Sequence, residues 1–148
     1  MNIEIIATEK KRFLDLLLLA DEQESMIDRY LERGDMFALY DLKEVRAVCV
    51  VTNEGDGNYE LKNMATDEAN QGKGYGKRLL QYVLEYYKGR CKTMYVGTGD
   101  HARALGFYQH CGFRPSHSVR NFFIDHYDHP IYEDGKQLID MVYLKIDL

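Results

Sequence analysis

The chain has 148 residues, 45% of them hydrophobic and 29% charged, with a formal net charge of −5. This length and balance suit a single domain, 1–148, able to close its own core, and the acidic excess argues against general nucleic-acid binding. The apolar run Leu16-Leu17-Leu18-Leu19 is far too short to span a bilayer.

The opening MNIEIIATEKKRF lacks the basic-then-apolar layout of a secretory signal. Cys49, Cys91 and Cys111 form no CxxC pair, so neither a disulfide framework nor a zinc knuckle is indicated. A cytoplasmic protein, not bound to a membrane, is the expectation. Charge is unevenly placed. Residues 71–92 carry Lys73, Lys77, Arg78, Lys88, Arg90 and Lys92 against Glu85 alone, whereas residues 125–148 are mainly acidic. Separate receipt of an anion and a cation, or two solvated faces, would each produce this division.

In chain order, residues 2–6 read as a strand, and Thr8 is placed to cap a helix with Phe13, Leu16, Leu17 and Ala20 on one face. A second helix is expected from Asp21, showing Met26, Ile27, Tyr30 and Leu31 and stopping at Gly34. Residues 36–40 and 45–51 are strands. The turn NEGDGN then returns a third strand over 59–65. The glycine-rich stretch ANQGKGYG (69–76) opens a helix with Leu79, Tyr82, Val83 and Tyr86 at helical spacing. A strand over 93–96, a helix over 102–110 closed by Gly112, and a final strand within 138–146 complete the pattern. Residues 114–137, rich in aromatics and histidines, fit no single element. The order β-α-α-β-β-β-α-β-α-β is that of an α/β domain whose strand meander feeds a crossover helix.

Repeated glycine at a helix entrance costs roughly 0.5–1 kcal/mol per residue relative to alanine and therefore calls for a reason. One reason is an anion received by backbone N–H groups at a helix N-terminus. A nucleotide P-loop requires GxxxxGK[ST], but Arg78 follows Lys77 and supplies no hydroxyl for magnesium. A dinucleotide loop should follow the first strand directly, and several strands precede this one.

Coenzyme A is the third candidate. Gln71-Gly72-Lys73-Gly74-Tyr75-Gly76 resembles the Q/R-x-x-G-x-G/A pyrophosphate signature of the GCN5-related N-acetyltransferase (GNAT) superfamily. The segment 104–113, ALGFYQHCGF, resembles the family's A-L-x-F-Y-x-x-x-G-F motif. The two stand in the family's order, and the resemblance covers nearly the whole chain. It implies a mixed, mainly antiparallel sheet with a central split, flanked by about four helices. It also implies acetyl-coenzyme A as co-substrate, no metal, and a small-molecule amine as acceptor; a homodimer is compatible with it.

Carried over residue by residue, the resemblance places Met64, Ala65 and Thr66 along the acetyl and pantetheine portion. Gln71, Gly72, Lys73, Gly74, Tyr75, Gly76 and Lys77 fall around the pyrophosphate. His101 stands where many members have an asparagine that contacts the cofactor, with Asp100 beside it. Tyr108 matches the tyrosine that protonates the leaving thiolate in many members, with plain core packing as its alternative.

An amine of pKa ~10 is neutral in only about one molecule per thousand at pH 7, a barrier of roughly 4 kcal/mol, so a base is also wanted. Glu60 is the best-placed carboxylate by position. A solvated strand-edge charge is its alternative, and a relay through Asn63 or a later histidine stays open. Cys91, between Arg90 and Lys92, is the thiol with the most activating neighbours, but no His/Asn partner pattern supports a nucleophile. His126 and His129 lack a well-placed third metal ligand. Within 117–135 the aromatics and acids suit a substrate wall for an ammonium group. A non-catalytic acyl-coenzyme A sensor and a protein N-acetyltransferase are the competing readings.

Overall fold

The computed structural model describes all residues, 1–148. Its strands are β1 (Asn2–Ile6), β2 (Asp35–Asp41), β3 (Glu44–Gly55), β4 (Asn58–Thr66), β5 (Thr93–Gly99), β6 (Arg114–Val119), β7 (Tyr132–Glu133), β8 (Lys136–Gln137) and β9 (Met141–Asp147). Its helices are α1 (Leu14–Ala20), α2 (Glu24–Ile27), α3 (Tyr75–Tyr87), α4 (Ala102–His110) and α5 (Phe122–His126). The main sheet has seven strands in the order β1-β2-β3-β4-β5-β9-β6, and β7 and β8 form a separate hairpin. Every neighbouring pair in the main sheet is antiparallel except β4–β5. This is the mixed, mainly antiparallel α/β sheet expected, with five helices rather than four.

Turn chemistry sets the meander. Asp56 and Gly57 both have positive φ, 56° and 80°, so the two-residue β3–β4 loop has the backbone twist that matches flanking strands. Asp134 and Gly135 repeat the device between β7 and β8. The two sheet faces bury different clusters. Phe37, Cys49, Leu61, Leu79, Val83, Met94 and Val96 pack together beneath α3. Leu17, Ile27, Leu31, Met36, Val48, Val50 and Ala65 pack on the α1 side. No helix is long and apolar enough to cross a membrane.

Three local expectations change. Thr8 caps nothing: a 3-10 turn over Lys10–Phe13 leads into α1, entered through Glu9 in the left-handed region with no side-chain cap. The helix expected after Asp21 is only the short α2. Lys10 is buried and donates to the carbonyls of Leu31 (3.0 Å), Glu32 (3.3 Å) and Gly34 (2.6 Å), so tertiary hydrogen bonds order the segment that follows. The stretch 114–137 divides into β6, α5 and the β7–β8 hairpin.

Candidate active site

The parallel β4–β5 pairing runs from Asn58↔Thr93 to Leu61↔Val96 and stops there. Beyond it, β4 stays with β3 through Asn63↔Val50, Met64↔Cys49, Ala65↔Val48 and Thr66↔Ala47, while β5 stays with β9 through Gly97↔Tyr143. Between Val50↔Asn63 and Val51↔Leu61 the register shifts, leaving Lys62 as an extra residue on β4. A bulge bends the strand that carries it, and this one lies where the two parallel strands part. The result is a central split with an unpaired β4 edge over 62–66.

The split opens into a cleft of about 610 Å³, within the size range of small-ligand sites. Gln71, Gly72, Gly74, Tyr75, Gly76 and Lys77 line one end. Gly72 and Gly74 have φ of 80° and 84°, a conformation costly for any residue with a Cβ. Gly74 begins α3 without a side-chain cap, leaving the first-turn N–H groups of a thirteen-residue helix for an anion. Gly76 serves a different purpose: a Cβ there would lie 3.3 Å from Thr66 Oγ1, so its absence lets α3 approach β4. Gln71 Nε2 donates to the Thr66 carbonyl at 3.2 Å, tying the loop to the end of β4.

Met64, Thr66, His101 and Tyr108 also line the cleft. Tyr108 packs edge-to-face on Phe107 and Phe113, and burial holds its phenol pKa well above the ordinary value, so it stays protonated. His101 sits at the N-cap of α4, with its Nδ1 buried, without a hydrogen bond and 3.9 Å from Asp134 Oδ2. Two expected residues turn away from the cleft lining. Ala65 is buried among the α1-side cluster, which leaves only its backbone for the split, and Lys73 Nζ donates to Asn70 Oδ1 at 3.1 Å.

Glu60, expected as the base, does not line the cleft either. Side chains alternate along a strand, and Leu61 belongs to the core beneath α3, so Glu60 faces the opposite side of the sheet. There it pairs with Lys62 at 3.0 Å and lies 3.5 Å from the Tyr143 hydroxyl. Burial and this carboxylate push the Tyr143 phenol up to about 12. Cys91 is buried, and desolvation raises its thiol pKa despite its basic neighbours, which removes the activation expected there.

Sequence reading missed the carboxylate that does reach the cleft. Asp21, the C-cap of α1, lines it together with Glu22 and Glu133. Its two oxygens accept from Tyr30 Oη at 2.9 Å and Tyr127 Oη at 2.6 Å. Asn63 Nδ2 in turn donates to Tyr30 Oη at 3.1 Å and to the Leu17 carbonyl at 3.0 Å. Burial raises the Asp21 pKa against the lowering effect of its tyrosine donors. The cleft lining therefore combines a glycine loop with Lys77 and the carboxylates of Asp21, Glu22 and Glu133, while Lys62, also in the lining, is taken up by Glu60.

Residues 32–115 match the family model described as an acetyltransferase (GNAT) domain. A Bacillus subtilis protein described as an uncharacterized N-acetyltransferase, YvbK, is 37% identical over 150 aligned residues, covering 100% of this chain and 97% of its own. The structure is also similar to that of a GNAT family acetyltransferase from Elizabethkingia anophelis with acetyl-CoA bound, with a TM-score of 0.94 and 34% identity over 99% of this chain and 97% of that one. A Bacillus subtilis acetyltransferase in complex with CoA gives a TM-score of 0.89 and 38% identity, covering 99% and 98% of the two chains.

Proposed function

The chain belongs to the GNAT family of N-acetyltransferases, and from that premise we propose that it moves acetyl from acetyl-coenzyme A to the primary amine of a small molecule by direct attack. The observation that carries this reading is the split itself. A parallel pair that parts after Leu61↔Val96 offers free β4 backbone to an extended chain, in a cleft whose lining holds both an anion cradle and carboxylates. These two suit the opposite charges of a pyrophosphate and an ammonium.

In this reading the N–H groups of the loop and first turn, from Gly72 to Lys77, hold the pyrophosphate, and Lys77 adds charge. Lys73 contributes at longer range. Backbone groups of Met64, Ala65 and Thr66 pair with the pantetheine arm, and an N–H in this run faces the oxyanion. One such donor is worth roughly 3 kcal/mol of barrier. Tyr108 protonates the departing thiolate. His101 holds the cofactor side of α4. Glu60 braces the strand through Lys62 instead of acting as the base.

A small acceptor is favoured over a protein chain because Phe123 of α5, Tyr127, Ile131 and Glu133 of β7 narrow the cleft from one side. Tyr127, just beyond α5, reaches the end of α1 to bond Asp21. Residues 1–148 act as one catalytic domain. Calorimetric titration with acetyl-coenzyme A, with ATP and NAD as controls, tests the cradle. A thiol-release screen over amines and peptides tests the acceptor. Micromolar binding of acetyl-coenzyme A with turnover of small amines supports the proposal, while turnover of peptides alone would overturn the acceptor assignment.

A further inference from the structure

Asp21 is a half-buried carboxylate without a cation. None of the chain's ion pairs includes it, and the groups acting on it are the Tyr30 and Tyr127 hydroxyls, the Gln23 backbone and the like-charged Glu22. Glu22 itself lies 3.9 Å from His129, which is turned toward Asp128. A buried carboxylate normally finds a positive partner, because hydroxyl donors alone do not repay its lost hydration. A second unsatisfied group stands in the same network: Asn63 Oδ1 is fully buried and has no partner, although Asn63 lines the cleft. An ammonium needs several acceptors, and Tyr30 Oη ties these two groups into one network. The lining also includes the apolar Leu19, Phe123, Tyr127, Ile131 and Leu138, and Lys62, beside Asn63 in the same lining, is paired with Glu60 at 3.0 Å.

We infer that Asp21, with Asn63 Oδ1, receives the ammonium of the acceptor and takes its proton, and that the acceptor is a primary amine with an apolar or aromatic body and no carboxylate beside the amino group. This rests on the reading of the cleft as an acetyl-coenzyme A and amine site. The proton balance closes. The ammonium gives one proton to the Asp21 carboxylate, and the freed lone pair forms the C–N bond at the thioester carbonyl carbon. The C–S bond breaks, and Tyr108 passes its proton to the thiolate. Tyr108 recovers the surplus proton of the new amide nitrogen, and Asp21 returns its own to water as the amide leaves. An α-carboxylate on the acceptor would be driven against Asp21, Glu22 and Glu133, which is why amino acids are excluded.

The test uses the full chain with phenethylamine, hexylamine, spermidine and leucine as acceptors, read by thiol release. Phenethylamine and hexylamine should be acetylated with kcat/KM at least 100-fold above leucine. Asp21→Asn should lower kcat/KM for phenethylamine at least 100-fold, while the acetyl-coenzyme A Kd stays within twofold, which also shows the variant folded. Tyr127→Phe removes a donor that stabilises the carboxylate, so the acidic limb of the kcat/KM profile should move to higher pH. An active Asp21→Asn enzyme, a preference for leucine or spermidine, or an unmoved limb in Tyr127→Phe would overturn the inference and leave the acetyltransferase reading standing. Tight acetyl-coenzyme A binding with no turnover of any amine would overturn both.

Discussion

Replacing Gly74 by alanine separates backbone geometry from available space. Gly74 has φ 84° and ψ 7°, and a Cβ built there meets no atom within 4 Å. The substitution therefore meets no clash, only the cost of a left-handed backbone at an alanine, about 1–2 kcal/mol. That cost has two destinations. If the loop holds its shape without ligand, stability falls by the full amount, about 2–8 °C in Tm for a chain of this size. If the free loop relaxes to negative φ, Tm is kept and acetyl-coenzyme A binding carries the cost, raising Kd about 5–30-fold. The two losses, converted to free energy, should add to the same total. Thermal unfolding without ligand and calorimetric titration of the same sample measure both. Gly76→Ala is the control, since its backbone is helical and its cost is a 3.3 Å contact with Thr66 Oγ1, set against a gain of up to about 1 kcal/mol in helix propensity. Unchanged Tm and unchanged Kd in Gly74→Ala would refute the argument that the anion cradle depends on this left-handed residue.

Tyr108→Phe should lower kcat by about 100-fold or more with acetyl-coenzyme A affinity within twofold, and a parallel loss of both would assign Tyr108 to packing. Glu60→Gln should leave the acidic limb of the pH–rate profile in place, because this carboxylate is paired with Lys62 and does not line the cleft; a moved limb would return it to the reaction. Lys10→Met keeps the apolar stem and strands the carbonyls of Leu31, Glu32 and Gly34, so it should cost about 2–3 kcal/mol in chemical denaturation. A change below about 0.5 kcal/mol would show those carbonyls are satisfied some other way.

The elements that sequence reveals here are those whose causes are local. Asp56-Gly57 announces a hairpin because only a narrow set of residues tolerates two positive φ angles, and Gly72 and Gly74 announce the loop for a related reason. The segment from Ala104 to Phe113 is equally legible, since its apolar spacing lies in α4 and Gly112, with φ 102°, closes the helix just beyond it. Glu60 shows what strand position leaves out: its carboxylate is taken up by Lys62 and lies off the cleft lining, a pairing that depends on the bulge. The Lys62 bulge leaves no local trace, because a register shift belongs to a pair of strands. The sequence pattern puts Asp21 at the start of a helix, whereas it ends α1 and meets Tyr127 from the far part of the chain. Nothing within a few residues of either one marks that meeting.

The same juxtaposition makes a stability prediction with a definite sign. In the folded protein burial raises the Asp21 pKa, while in the unfolded chain it returns to about 3.9. Between these two values the native state binds more protons than the unfolded one, so the contribution of Asp21 to stability falls as pH rises through that window and is constant above it. Asparagine cannot ionise and lacks this slope. The difference in Tm between Asp21→Asn and the native protein should therefore become more positive from pH 4 upward, whatever its starting value at low pH. It should level off once the native carboxylate is fully charged. Thermal unfolding of both proteins in matched buffers, without acceptor, measures the difference directly. A flat difference would mean the carboxylate is as well solvated folded as unfolded. A difference that falls with pH would mean that the two tyrosine hydroxyls more than repay its burial, and Asp21 would then have no need of an ammonium partner.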